Sequence, residues 1–214
     1  MENNDLELFK KGSFNPINTD FISDSAAALS AIEQVQIKYG KVDMDTLLNE
    51  LHDSMVGKWL GFELVNTDKH GFDCKLSEDK DIFLESKVAS ISSQSWEATF
   101  NDTTYEKAKA FKDKKLILAL SVWTSAKNCA FICYGQNEKI GDELKEGVDK
   151  FKAGKTVRST QSIVLSRLVF DYGFKILAVN SSKEEVYEML TKKRNFKKID
   201  KDIITNIKDF KPEF

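Results

Sequence analysis

The sequence predicts an α/β protein built on a mixed α+β sheet, and three observations predict it. Stretches of helical and strand periodicity alternate along the chain. Residues 72–76 and 82–88 alternate between apolar and polar on either side of a short polar run, 77–81, as a β-hairpin does. Residues 116–123 (LILALSVW) are almost continuously apolar, as expected of a strand covered on both faces.

The elements follow in order. Residues 1–20 are polar and irregular. Residues 24–39 read as a helix capped by Ser23 or Asp24, with Ala28, Ile32, Val35 and Tyr39 on one stripe. After Gly40, Asp43 or Asp45 caps a second helix striped by Leu47, Leu48, Leu51, Met55 and Trp59. A short strand at 62–65 precedes the hairpin, and 90–101 reads as a polar loop anchored by Trp96 and Phe100. Residues 103–113 form a helix with Tyr105, Ala108 and Phe111 facing inward, and strands follow at 116–123 and 129–134. Residues 138–152 make a charged amphipathic helix on Ile140, Leu144, Val148 and Phe151, broken by Gly154-Lys155. Residues 160–172 read as helix and 174–179 as strand. Residues 182–193 read as a helix opened by a capping box of Ser182 and Glu185, and 201–208 as a last short helix.

Length and composition narrow the function. A chain of 214 residues suits one domain, 1–214, able to bury a sizeable core. A net charge near −2 excludes a polycation, so any nucleic-acid binding must rest on local basic patches. Cys74, Cys129 and Cys133 form no framework and read as buried free thiols in a reducing compartment. With only His52 and His70 available, the Cys129–Cys133 pair lacks a second half for zinc. No signal peptide opens the chain and no apolar run nears the ~20 residues of a membrane span, so a cytoplasmic protein is expected.

The chemistry concentrates in the hairpin. If it is symmetric about Asp79, Asp73 lies opposite Glu85, and Lys87 shares a face with Glu85 because side chains at i and i+2 do. Two carboxylates about 5 Å apart repel, and a divalent cation removes that penalty. Lys87 beside them can orient or activate a water, which makes a site for metal-assisted hydrolysis of a phosphodiester. The acid-x-Lys spacing alone is unspecific: with 34 acids and 29 lysines chance gives about five matches, and six occur. Only Glu85-Ser86-Lys87 follows an apolar strand run, Ile82-Phe83-Leu84, with a second acid at hairpin distance.

The helix–strand–strand–strand–helix–strand order, with Asp on the second strand and Glu-x-Lys on the third, resembles the PD-(D/E)xK nuclease superfamily over residues 43–123. More narrowly, LGFELVN…HGFD…FLESK is similar to a type II restriction endonuclease. Phe72 rather than proline precedes the acid, a departure the superfamily allows. Gln94 lacks a tyrosine four residues on, where Ala98 stands, which argues against a RecB-like exonuclease. The resemblance implies a restriction-endonuclease-like αβββαβ core with flanking helices. It implies Mg²⁺ held by Asp73, Glu85 and the Ser86 carbonyl, with Lys87 positioning the attacking water. Members that add an acid from the preceding helix point to Glu50 as a further catalytic residue, with Asp53 second and Glu63 of the first strand behind them. His70 caps the hairpin or touches a phosphate, and Gly71 lets the strand bend.

The same resemblance implies double-stranded DNA as substrate, 5′-phosphate and 3′-hydroxyl products, a homodimer cutting a palindrome, no membrane partner and a possible cognate methyltransferase. DNA recognition is assigned to 154–214. There Arg158, Ser159, Thr160 and Gln161 open the expected helix with groups that read major-groove edges. Gln94 in the loop after the catalytic strand, and Lys192, Lys193 and Arg194 in the densest basic run, are the other expected DNA contacts. Two alternatives stand beside site-specific cleavage: a structure- or end-directed repair, recombination or phage nuclease, and an inactive DNA-binding protein retaining the fold.

Overall fold

A computed structural model describes residues 13–15, 19–39, 45–66, 72–101, 103–212 and 214. Strand β1 (Ser13–Asn15) precedes helices α1 (Phe21–Tyr39) and α2 (Asp45–Leu60). Strands β2 (Glu63–Asn66), β3 (Cys74–Ser77), β4 (Lys80–Ser90) and β5 (Glu97–Phe100) come next. Helix α3 (Tyr105–Lys112) leads into β6 (Leu116–Ser125) and β7 (Asn128–Gly135), then α4 (Glu138–Lys152). Strand β8 (Gln161–Val164), α5 (Leu165–Phe170), β9 (Lys175–Ala178), α6 (Lys183–Thr191) and β10 (Ile204–Asn206) close the chain.

Eight strands form one mixed sheet in the order β1-β2-β3-β4-β6-β7-β9-β10, while β5 and β8 form a separate two-stranded ribbon. Strands β2, β3 and β4 make an antiparallel meander, and β6 lies parallel to β4. A parallel neighbour needs a crossover connection, and the chain from β5 through α3 supplies it. The Thr104 hydroxyl caps α3 by accepting the Lys107 amide at 3.3 Å. The helix stops as Lys114 turns to φ 56°, letting the amides of Lys114 and Lys115 close on the carbonyls of Phe111 and Ala110. Glycine is usual at that position, and a lysine there costs about 1 kcal/mol.

Both faces of the sheet are covered, because the inner strands are apolar on both sides. Ile117, Ala119 and Trp123 of β6 pack toward α1 and α2 with Leu29, Met55 and Leu60. Leu116, Leu118, Leu120 and Val122 face the other way, onto Phe111 of α3, Leu144 of α4 and the ribbon's Phe100 and Ile163. The continuous apolar run of 116–123 thus has its expected cause, and the expected α/β class with a mixed sheet is the observed one.

Four local expectations are corrected. The hairpin closes through a tight turn at Glu78-Asp79 rather than a five-residue loop, with a register shift between Lys75 and Ser77. The segment 90–101 is not all loop, because Glu97–Phe100 pairs with Gln161–Val164. The segment 160–172 is not one helix: its first part is β8, and α5 is only six residues long. The segment 201–208 is two 3₁₀ turns around β10, whose Ile204 and Thr205 pair in parallel with β9. In each strand correction, β-branched residues are drawn into an extended form by a distant partner that local periodicity does not reveal.

Candidate active site

The site forms where two strands part. Strands β3 and β4 are paired through Lys75↔Phe83 and Cys74↔Leu84, both pairs equidistant from Asp79, and the ladder ends there. Asp73 lies one step beyond the last pair. Its amide bonds the Leu84 carbonyl at 3.0 Å, and its side chain takes over where the backbone pairing stops. Asp73 Oδ2 accepts the Ser86 amide at 2.6 Å. In an extended strand the N–H and C=O of one residue face the same edge, so the Ser86 carbonyl also opens toward Asp73. The Lys87 carbonyl faces the other neighbour and accepts the Ser121 hydroxyl of β6 at 3.1 Å. Among the described residues Ser86 Oγ is buried without a hydrogen-bond partner.

Glu85 and Lys87 share a face, and that face is covered. Glu85 is only 2% exposed. Its Oε1 accepts Lys87 Nζ at 2.6 Å and Lys107 Nζ of α3 at 2.7 Å. Lys87 also lies 5.6 Å from the ring centroid of Phe100, on β5. Sequence reasoning missed Lys107. Its only signal was a local cost: it stands in the first turn of a helix, where the positive end of the dipole disfavours a cation. A buried carboxylate in front of it offsets that cost.

The charges are unequal in their consequences. Burial, then the neighbouring Glu85 and Asp53, push the Asp73 carboxyl well above its ordinary range, against the pull of Lys87 and the Ser86 amide. Burial works on Glu85 in the same direction, but Lys87 and Lys107 together overcome it and hold Glu85 below the ordinary value. For Lys87, burial favours the neutral amine, but Glu85 and Asp73 outweigh it and keep the group charged. The site therefore holds one firmly ionised carboxylate and one that resists ionisation.

Helix α2 brings Asp53, the second of the acids expected from it, near the site. Asp53 is close enough for its charge to act on Asp73, Cys74 and Lys87. Its backbone carbonyl lies 3.8 Å from Cys74 Sγ. One turn on, Gly57 permits the close approach: a Cβ there would stand 2.4 Å from Cys74 Sγ. Glu50 lies on the same helix, but its side chain falls outside the described residues, as do His70 and Gly71. Glu63 is half-buried on β2, and its charge acts on Cys74. Among the described residues no group of three His, Cys, Asp or Glu side chains is placed to hold a metal ion.

The expected DNA contacts are dispersed. Arg158 and Thr160 are exposed and Ser159 is buried. Gln161 is spent internally, its amide donating to the Leu144 carbonyl of α4 at 3.0 Å. Gln94 is exposed on the turn between β4 and β5. Lys193 reaches back to that turn, bonding the carbonyls of Ser93 at 2.9 Å and Gln94 at 3.1 Å, with Trp96 4.6 Å away. Lys192 and Arg194 are exposed beside it.

All three cysteines are buried and free, as expected. Among the described residues no helix is long and apolar enough to cross a membrane. Compared with known proteins, the chain matches no family model, no curated protein and no solved structure.

Proposed function

We propose that this protein is a Mg²⁺-dependent site-specific endodeoxyribonuclease of the PD-(D/E)xK kind, acting as a type II restriction enzyme. The observation that carries the reading is the meeting of Asp73, the Glu85–Ser86 peptide and Lys87 at the point where the β3–β4 ladder ends. The element order supports it: α2, the β2–β3–β4 meander, and a crossover helix to a parallel β6 follow the order of that superfamily's core.

The donor set fits a hard divalent cation. Asp73, Glu85 and the Ser86 carbonyl are all oxygen donors, and only two of them are side chains. The elevated Asp73 carboxyl marks negative charge crowded in a buried place, the condition that a bound cation relieves. Both lysines bond Glu85 Oε1, so Oε2 remains for another ligand. When bound, Mg²⁺ supplies charge stabilisation at the phosphorane and at the departing 3′ oxygen.

The chain's own groups do the rest. Asp73 and Glu85, with the Ser86 carbonyl, would hold the cation. Lys87 Nζ, held on Glu85 and beside the Phe100 ring, positions the attacking water and steadies its developing negative charge. Lys107, reaching from α3 to the same Glu85 oxygen, holds Glu85 in place and adds positive charge to the site. Cutting both strands of a site requires two such centres, hence a homodimer.

The test is digestion of long double-stranded DNA with Mg²⁺, beside an EDTA control and Lys87→Ala. Discrete fragments with 5′-phosphate ends, lost in EDTA and reduced about 10²–10⁴-fold in the variant, are expected. A smear would replace site-specific cleavage with structure-directed or unspecific cleavage. DNA left intact across metals and substrates would sink the enzymatic reading and leave an inactive DNA-binding protein.

A further inference from the structure

We infer that the β5–β8 ribbon is the element that reads base sequence, entering the major groove of double-stranded DNA with the paired hydroxyls of Thr99 and Ser162 outermost. This rests on the nuclease reading and deepens it. The ribbon stands apart from the eight-stranded sheet and is joined in register Glu97↔Val164, Ala98↔Ile163, Thr99↔Ser162 and Phe100↔Gln161. Its inner side, Ala98, Phe100 and Ile163, is buried in the core. Its outer side carries Glu97, Thr99, Ser162 and Val164, and Thr99 Oγ1 and Ser162 Oγ lie 2.9 Å apart, bonded across the strands.

Three observations identify the occupant. A two-stranded ribbon matches the ~12 Å width of the major groove, and hydroxyls both donate and accept to base edges there. The approach to β8 is cationic: Lys155 and Arg158 are exposed and form no ion pair among the described residues. Of the carboxylates beside this approach, Glu146 pairs with Lys150 at 2.7 Å and Glu143 with Arg167 and Tyr172, while Glu97, on the ribbon's outer face with Thr99, accepts the Ser95 hydroxyl at 3.4 Å. Unpaired cations beside an outward hydroxyl pair fit a phosphate-lined groove.

The ribbon is also fastened to the cutting site. Strand β4 carries Glu85 and Lys87 and runs on through a short turn into β5, whose Phe100 lies 5.6 Å from Lys87 Nζ. The Leu165 amide at the exit of β8 donates to the Trp96 carbonyl at the entry of β5, at 2.7 Å. Gln161, expected from sequence to read adenine, serves here as a fixing point to α4. Its amide lies where a Cβ on Gly147 would come within 2.0 Å of Nε2. Reading therefore passes to Thr99 and Ser162, with Arg158 and Thr160 at the ribbon's entrance.

The test compares cleavage-site profiles, obtained by sequencing the ends released from long DNA. Wild type is set beside Thr99→Ala/Ser162→Ala, Arg158→Ala, and the conservative Thr99→Ser/Ser162→Thr, with thermal unfolding confirming that each is folded. The double alanine variant should lose preference at one or more positions of the site by about 10-fold or more, each base contact carrying discrimination of that order. The conservative variant should retain the profile. An unchanged profile in a folded double alanine variant would overturn the inference while leaving the nuclease standing. Wild-type cleavage without any sequence preference would overturn it too. No cleavage by wild type would instead bring down the nuclease reading on which it rests.

Discussion

Asp73 sits in a place that favours its neutral form, and that sets a conflict between stability and chemistry. Because burial and its acidic neighbours raise its pKa in the folded chain, folding retains a proton on Asp73 that the unfolded chain would release. Its stabilising contribution is complete below the ordinary carboxylate value and is lost as pH rises through the folded value. Asp73→Asn, which can still accept the Ser86 amide, should therefore raise the melting temperature of the metal-free protein at pH 7–8 by roughly 2–6 °C while abolishing cleavage. Near pH 3 the gain should vanish. A melting temperature unchanged or lowered at pH 8 would contradict the conflict. His52 has the opposite sign. It is buried, stacks on Trp123 at 3.8 Å and bonds the Ala126 carbonyl through Nε2 at 2.6 Å, while Nδ1 has no hydrogen-bond partner among the described residues. Burial lowers its pKa, so stability is full above the ordinary histidine value and falls as pH drops from there through the folded value. Urea unfolding between pH 7.5 and 5 should show this decline. His52→Phe, which keeps the stack and loses about 1 kcal/mol with the hydrogen bond, should flatten it. Equal slopes in both proteins would exclude His52 as the cause.

Among the elements, the ribbon depends on one close approach. Gly147 leaves room on α4 for the Gln161 amide. Gly147→Ala forces that amide off the Leu144 carbonyl, and overpacking of this kind costs about 1–3 kcal/mol. Hydrogen exchange should then quicken at β5 and β8 amides and leave β6 and β7 protected; uniform loosening would show that the ribbon is not an independent unit. This element was also the least legible in the sequence. The hairpin is local, so its symmetry about Asp79 revealed which residues oppose each other. Thr99 and Ser162 are far apart in the chain, and the pattern of 160–172 fits a helix when read alone. Periodicity assigns a residue to a face of α2, but not the turn that lands beside Asp73; Asp53, the second of the acids expected there, is near enough for its charge to act on Asp73, and the Glu50 side chain lies outside the described residues. Lys107 was hidden because its partner lies across a crossover that only the folded sheet brings together.

At the scale of the molecule, the sequence revealed the class, the central strands and the hairpin that brings Asp73, Glu85 and Lys87 together, because burial on two faces and alternation on one leave distinct patterns. The sheet's breadth was not legible, since its outermost members are too short to show a period. Those short members have a consequence of their own. The sheet ends on described strands of three residues at both margins, Ser13–Asn15 and Ile204–Asn206. So few open amides and carbonyls give a neighbouring chain little template on which to add a strand. Two copies would therefore meet through side chains of helices and loops rather than by extending the sheet. Such an association stays finite, whereas strand addition at an open margin has no built-in stopping point.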